Sequence, residues 1–327
     1  MADTPRVSLC CLPTPLHRLP RLSEMLGIEL WIKRDDLTGF AMGGNKGRKL
    51  EYIVADILAS GADTVVTCGS SQSNFVRQLG AACAMHGLEC HAVVMDLPRP
   101  DGTEPIGEPM AMGGNLLLDT YFRVRVHKVA DGGWSELEAA AGSLAAQLAA
   151  EGKRVRIVPL GGSGPFGALA FWNAAHELQA QFEGRFDYVV TASSSGSTQT
   201  GLTCGFHGSA TKVIGMSSDP EPEIADDMSA ISHQLAAVHP LSPALSSEDF
   251  TFRLDWVGPG YGVASQAGNE ALSLMATTEG IMLDPIYSAK AFAGLVAMAK
   301  AGELSGSVCF WHTGGTPVLF AYGEIAG

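Results

Sequence analysis

No stretch of this sequence stays apolar for the roughly 18 residues that a membrane-spanning helix needs, so a bilayer finds no anchor in it. Positive charge is also scarce: 21 Lys and Arg stand against 34 Asp and Glu, a net charge of −13. Such a surface repels phosphate backbones and anionic lipid, which argues against nucleic acid and membranes as partners. The seven cysteines (Cys10, Cys11, Cys68, Cys83, Cys90, Cys204 and Cys309) are odd in number and scattered, with no CxxC pair. They read as mostly buried thiols in a reducing cytoplasm. The N-terminal "MADTPRVSLCCLPTP" lacks the charged-then-apolar architecture of a signal peptide, which again suits a cytoplasmic protein. Asp119, His127, His176 and the other histidines show no metal-ligand spacing, so no metal centre is expected. There is no internal repeat at a fixed period and no low-complexity tail.

What remains is the composition of a compact globular protein, 327 residues long, 46% hydrophobic and 17% charged, long enough for two domains or one large one. Apolar residues Leu50, Ile53, Val54, Ile57 and Leu58 recur with helical spacing after Lys46, and Gly61 stops the pattern. Strands are expected at 63–68, 90–95, 154–159, 187–192, 212–217 and 307–312. Helices are expected at 73–87, 166–181, 198–206, 262–278 and 287–301. The strands are continuously apolar rather than alternating, which predicts α/β architecture with parallel sheets covered on both faces. The stretch 97–115 reads as a loop excursion, and 218–250 as a weakly patterned helical or loop region.

Three Gly/Ser-rich turns each follow a strand and open a helix: "GSSQSN" (69–74), "GGSGPFG" (161–167) and "SSSGSTQTG" (193–201). Turns of this kind aim backbone N–H groups from helix N-termini at anions. With the Gly-Gly-Asn-Lys turn they point to a ligand carrying more than one anionic group. Lys46 itself has two readings. It is either a solvated charge in a segment already rich in basic residues (Lys33, Arg34, Arg48, Lys49), or a Schiff-base lysine whose partly desolvated amine attacks an aldehyde.

The segments "GGNKGRKLEY", "SSQSNFVRQ", "GSTQTG", "GPGYG", "LDPIYSAKA" and "HTGGTP" occur in one order along nearly the whole chain. Together they resemble one family of fold-type II pyridoxal phosphate enzymes. That family contains 1-aminocyclopropane-1-carboxylate deaminase, D-cysteine desulfhydrase and L-cysteate sulfo-lyase. The resemblance implies a tryptophan synthase β-like fold: two open, mostly parallel sheets with helices on both faces and pyridoxal 5′-phosphate in the cleft between them. The expected division is a small domain at 47–160 and a large one formed by 1–46 plus 161–327, in a homodimer. Residue by residue, Lys46 matches the Schiff-base lysine. Ser73 and Asn74 match the pair over the cofactor ring that holds the substrate carboxylate, with Gln72 and Phe75 beside them. Ser195, Gly196, Ser197 and Thr198 match the loop around the cofactor phosphate. Tyr261 and Tyr287 match two tyrosines facing the substrate, although tyrosine is also an ordinary packing residue.

Two positions bear on the chemistry. The deaminase pattern has glutamate immediately after the second tyrosine and leucine in the H-x-G-G motif, where this chain has Ser288 and Thr313. A carboxylate beside the pyridine nitrogen keeps it protonated, whereas hydroxyls can only donate to a neutral nitrogen and leave a weaker electron sink. The expected reaction is therefore α,β-elimination from a β-substituted alanine, giving pyruvate, ammonia and sulfide, with sulfite release from L-cysteate and cyclopropane ring opening as alternatives. A catalytically silent ligand-binding protein on the same fold is the alternative of another class. Phe75 stands where the desulfhydrase and sulfo-lyase members have histidine, which reads either as packing or as a reshaped pocket.

Overall fold

The computed structural model describes residues 4–96 and 113–322; most of the loop expected at 97–115 lies outside that range. The chain begins with β1 (Leu16–Arg18), α1 (Pro20–Leu26), β2 (Glu29–Arg34), α2 (Lys46–Ala59), β3 (Thr64–Ser70), α3 (Asn74–His86) and β4 (Glu89–Met95). It continues through α4 (Gly114–Tyr121), β5 (Arg125–Lys128), α5 (Trp134–Ala150), β6 (Val155–Ile157), α6 (Pro165–Gln181), β7 (Tyr188–Ser193) and α7 (Ser197–Phe206). Then come β8 (Lys212–Ser217), α8 (Ile224–Val238), β9 (Thr251–Arg253), α9 (Gln266–Glu279), α10 (Ser288–Lys300) and β10 (Ser307–His312).

The strands form two sheets, one of six in the order β1-β2-β10-β7-β8-β9 and one of four in the order β5-β4-β3-β6. Every pairing is parallel except β1 with β2. Both faces of each sheet are buried, as the continuous apolar strands demand. Val190 and Phe310 turn one way onto α9 and α10, while their neighbours Val189, Cys309 and Trp311 turn the other way onto α6, α7 and α8. In the smaller sheet Val65 and Val94 face α2 and α3, and Val66, Val93 and Met95 face α5. Five of the cysteines are buried and all seven are free. Among the described residues no helix is long and apolar enough to cross a membrane.

A buried ion cluster places the helix that begins at Lys46. Arg48 on α2 donates to Asp35 (2.8 Å) and to Glu177 on α6 (2.8 Å), and Lys33 on β2 donates to the same Glu177 (2.5 Å). Trp311 on β10 donates its indole N–H to Asp35 at 2.9 Å. Burial opposes the charge on Glu177, but the Arg48 and Lys33 bonds prevail and hold its carboxyl down at about 2. Removing one partner of such a cluster leaves an uncompensated buried charge. Two of the basic residues that look like ordinary surface charge in the sequence therefore fix α2 against the larger sheet.

Candidate active site

The carboxyl ends of β3, β7 and β10 open onto one cleft of about 500 Å³, a volume suited to a small-molecule ligand. Lys46 enters it from the first position of α2. The preceding turn has little freedom: Gly43 has φ of 76°, and a Cβ there would lie 1.9 Å from the Asp36 carbonyl oxygen, so only glycine fits. Asn45 clamps the turn from both sides, its backbone N–H on the Thr313 carbonyl (2.9 Å) and its side-chain amide on the Thr198 hydroxyl (3.1 Å). Lys46 is half-buried, walled by protein. Desolvation pulls its pKa down to about 8, with the Arg77 guanidinium working the same way and the Asp284 carboxylate opposing. A lysine so placed keeps a sizeable neutral fraction near neutral pH, which a nucleophilic amine requires.

Ser73 is the N-cap of α3 and accepts from the Val76 N–H at 3.3 Å. Asn74 follows, its side-chain oxygen taken by Arg77 (2.7 Å) and Asn115 (3.0 Å). That arrangement leaves the Asn74 NH₂ group to face the cleft. Phe75 is 1% exposed and packs in the core with its ring against Gly162 and Ile53, and it also lines the cleft itself. Gln72 is placed elsewhere. Its side-chain oxygen accepts from the Asn115 backbone N–H (2.8 Å) and its side-chain NH₂ donates to the Gly113 carbonyl (3.1 Å), tethering α4 outside the cleft.

At the opposite wall Gly196 has φ of 84° and turns the end of β7 into the N-terminus of α7. Ser195, Gly196 and Thr198 line the cleft, while Ser197 sits fully buried behind them. Its hydroxyl accepts from Lys49 at 2.7 Å, and the same ammonium donates to the Gly161 carbonyl at 3.3 Å. Lys49 is buried and has no carboxylate partner among the described residues. Desolvation, then repulsion from Lys46, drives its pKa well below the ordinary lysine value. An unmatched buried cation beside a helix N-terminus, with the unpartnered buried hydroxyl of Ser193 on the same wall, is a site that calls for an anion. A cofactor phosphate fits that donor set.

Tyr261 and Tyr287 also line the cleft, with their hydroxyls hydrogen-bonded to each other. Burial raises the pKa of both, most strongly for Tyr287, where the neighbouring Tyr261 adds to it. Trp134, the first residue of α5, meets Tyr261 edge-on at 5.0 Å and donates its indole N–H to Asp219 after β8 (3.1 Å). Thr313 lines the cleft as expected; Ser288 does not. Ser288 is fully buried at the start of α10 and its hydroxyl donates to Asp284 at 2.5 Å. Asp284 also accepts backbone N–H groups of Ile286, Tyr287 and Ser288, the usual satisfaction of a helix N-terminus. The hydroxyl donor expected at 288 is thus committed to a carboxylate.

Lys49, Trp134, Asp219 and Asp284 are not singled out by sequence reasoning, and Ser193 only as the first residue of the turn 193–201. Three residues after Lys46, Lys49 shares the same helix face, and Asp284 lies within "LDPIYSAKA"; Trp134 and Asp219 carry no such signal.

The sequence model of the family described as pyridoxal-phosphate dependent enzyme matches residues 7–314. The D-cysteine desulfhydrase of Salmonella newport (strain SL254) is 41% identical over 329 residues, covering 97% of this chain and 96% of the relative. Among solved structures, an ACC deaminase homologue superposes with a TM-score of 0.88 at 33% identity, covering 98% of this chain and 95% of that one. A hydrogen sulfide-producing enzyme from Fusobacterium nucleatum shares the fold, with a TM-score of 0.65 at 14% identity over 93% of this chain and 96% of its own.

Proposed function

Because the chain belongs to the family of pyridoxal-phosphate dependent enzymes, we propose that it is a carbon–sulfur lyase converting a β-thio alanine, D-cysteine foremost, to pyruvate, ammonia and sulfide. The observation that carries this reading is the single cleft in which a lysine of pKa about 8, an anion cradle and a buried tyrosine pair face one another. When bound, pyridoxal phosphate supplies an aldehyde for an amine and an electron sink that acidifies the α-proton of an amino acid.

Each residue has a part. Lys49 and the N-terminus of α7, with Ser195, Gly196, Ser197 and Thr198, hold the phosphate. Lys46 would hold the cofactor through its amine, which desolvation makes a better nucleophile than an ordinary lysine. The N–H groups at the start of α3, with Ser73 and Asn74, receive the substrate carboxylate. Tyr261 and Tyr287 pass a proton at the reacting carbons. Trp134, bonded to Asp219 and packed on Tyr261, supplies an apolar wall that limits water beside the tyrosine pair.

The walls also bear on the leaving group. The exposed lining of the cleft carries Glu138, Glu221 and Asp227, and its basic lining residues among those described are Lys46 and Lys49. A sulfonate approaching past three carboxyl groups meets like charge, whereas a neutral thiol does not. This favours sulfide over sulfite as the product. The test is a panel of D- and L-β-substituted alanines given to the purified protein, scored for pyruvate together with sulfide or sulfite. D-Cysteine is expected to give pyruvate and sulfide, with little product from cysteate or 1-aminocyclopropane-1-carboxylate. Faster sulfite release from L-cysteate would replace this reading with the sulfo-lyase one. The division at 47–160, the homodimer and the cytoplasmic setting belong to the same proposal, and light scattering at assay concentration checks the second of these.

A further inference from the structure

Behind the tyrosine pair, next to the main cleft, lies a second and much smaller cavity of about 10 Å³, enough for one water molecule. Tyr261, Tyr287 and Ser70 line both spaces and so form the partition between them. The rear cavity is completed by Gln72, Asp96 and Tyr322. Gln72 has both ends of its amide committed, and the Tyr322 hydroxyl donates to the Gly262 carbonyl at 2.5 Å. Asp96, the residue after β4, differs. It is 6% exposed, and its Oδ2 accepts from Lys128 at 2.6 Å. Its backbone N–H donates to Asp131 at 2.8 Å. Its Oδ1 is buried with no hydrogen-bond partner among the described residues. A buried carboxylate oxygen left alone is costly, and a cavity of one water's size with polar walls is where such an oxygen finds its partner.

We propose that one buried water joins Asp96 Oδ1 to the tyrosine pair, and that Asp96 is the store for the proton the pair removes from the substrate. This rests on the lyase reading above. A tyrosine in this wall is a poor base alone, because burial opposes its ionisation. It becomes competent if it hands on its own proton as it gains one. The α-proton passes to a tyrosine oxygen while that hydroxyl's proton passes to the water, and a proton of the water passes to Asp96 Oδ1. Each O–H bond formed along this line matches one broken. The net change is one proton lost by carbon and one gained by the carboxylate, while the C–H electron pair forms the new carbon–carbon bond and the C–S pair leaves with sulfur. Bulk solvent beside the exposed Lys128 side chain (58%) then takes the stored proton, and the Lys128 ammonium favours that loss by stabilising the Asp96 carboxylate left behind. Asp96 touches no reacting atom in this scheme. It is a positioning residue with a proton to hold, and its path to solvent avoids the mouth through which substrate enters.

The test uses the holoenzyme and three variants. Asp96→Asn keeps the shape and removes the charge. Cofactor content and KM should stay as in the unmodified protein while kcat falls about 10–100-fold and the solvent deuterium isotope effect rises, as expected when a proton step is impaired. Asp96→Ala should lose as much and recover part of it with added formate, which refills the carboxylate position. Lys128→Met leaves the cavity intact and should lower kcat in a way that concentrated buffer restores; it decides the matter if the Asp96 variants fold poorly. A high-resolution crystal structure should show one water bonded to both Asp96 Oδ1 and a tyrosine hydroxyl. The relay is overturned if Asp96→Asn stays within about threefold of the unmodified kcat with an unchanged isotope effect. Formate giving no recovery, Lys128→Met behaving as the unmodified protein, or a cavity without water overturns it as well. If the unmodified protein eliminates from no β-substituted alanine, the lyase reading falls and takes the relay with it; normal elimination with an indifferent Asp96 removes the relay alone.

Discussion

The two ends of the cleft are built from different materials. The inner end uses backbone: glycines at positive φ, the N-terminus of α7 and hydroxyls, with Lys49 as a buried cation lacking any carboxylate partner among the described residues. The outer end uses side chains: a tyrosine pair, Trp134 on Asp219, and carboxylates at the rim. Backbone donors are rigid and suit a ligand that stays bound, because they need no reorganisation to meet a fixed charge. Tyrosines and carboxylates change partners and protonation, which suits a substrate that arrives, reacts and leaves. Lys46 stands at the junction. The contrast makes separate predictions for the two ends.

The largest effect belongs to Lys46. Lys46→Ala should lower turnover by about three orders of magnitude or more, since the amine has no substitute. Borohydride reduction of the unmodified holoenzyme should fix the cofactor on the peptide containing residue 46. A label on Lys49 or Lys33 instead would overturn the assignment.

Next comes Lys49, one helical turn away. Lys49→Met should weaken cofactor binding about 10–100-fold by equilibrium dialysis, the effect of one lost charge-assisted bond. The same change should raise the melting temperature of the cofactor-free protein, because it removes a buried cation with no anion to face. If the apoprotein loses stability as well, Lys49 is a structural group and the cradle is misassigned.

Ser73 probes the junction from the substrate side. Ser73→Ala should keep the cofactor and reduce kcat/KM about 10–100-fold through a lost bond to the substrate carboxylate. It also removes the α3 cap, which costs about 1 kcal/mol of stability. Cofactor loss together with poor folding would mean that the cap is the whole of its role.

The lysines also set a pH signature. A folded lysine at about 8, against an unfolded value near 10.4, holds fewer protons than the unfolded chain between those limits. Folding stability of the apoprotein therefore rises as pH climbs from about 8 towards 10. Lys290, held at about 8 by burial, contributes in the same direction. Lys46→Met should flatten part of this rise in thermal melts, and an unchanged slope would show that Lys46 is not desolvated in solution.

Much of this is legible in the sequence, for physical reasons. Continuously apolar strands and 3.6-residue helical spacing mark buried parallel β and amphipathic α, and the Gly/Ser turns between them mark anion sites. Helix α5 escaped because its Ala-rich face shows little contrast between sides. Strands β1 and β2 escaped because one is short and the other carries Lys33 inward, which makes sense only once Glu177 is known to face it. Helix α8 lies within 218–250, a stretch whose apolar residues are too weakly patterned to mark its bounds. In the site, Lys46, Tyr261 and Tyr287 were visible through their motifs. The side-chain directions of Gln72 and Ser288 were not, since each is decided by a partner that sequence spacing does not reveal, Asn115 and Asp284. Trp134 and Asp219 meet across 85 positions of chain.

The smallest effect is expected at the rim, where the outer end meets solvent. Glu138, Glu221 and Asp227 are exposed cleft residues, and exposed charges act on one another by only about 0.2–1 kcal/mol each. Neutralising them together (Glu138→Gln, Glu221→Gln, Asp227→Asn) should raise kcat/KM for cysteate a few-fold and leave that for cysteine unchanged. The difference should shrink as salt is raised, because the screening length falls from about 10 Å at 0.1 M to about 3 Å at 1 M. Asp219 is left out of this set: it is 4% exposed and accepts the Trp134 indole, so Asp219→Asn tests the bridge rather than the field. If the triple variant changes both substrates equally, or by the same factor at every salt concentration, the rim acts through shape and the electrostatic case for sulfide over sulfite fails. If only cysteate responds, and only at low salt, then discrimination among leaving groups begins at the mouth, before the substrate reaches Lys46.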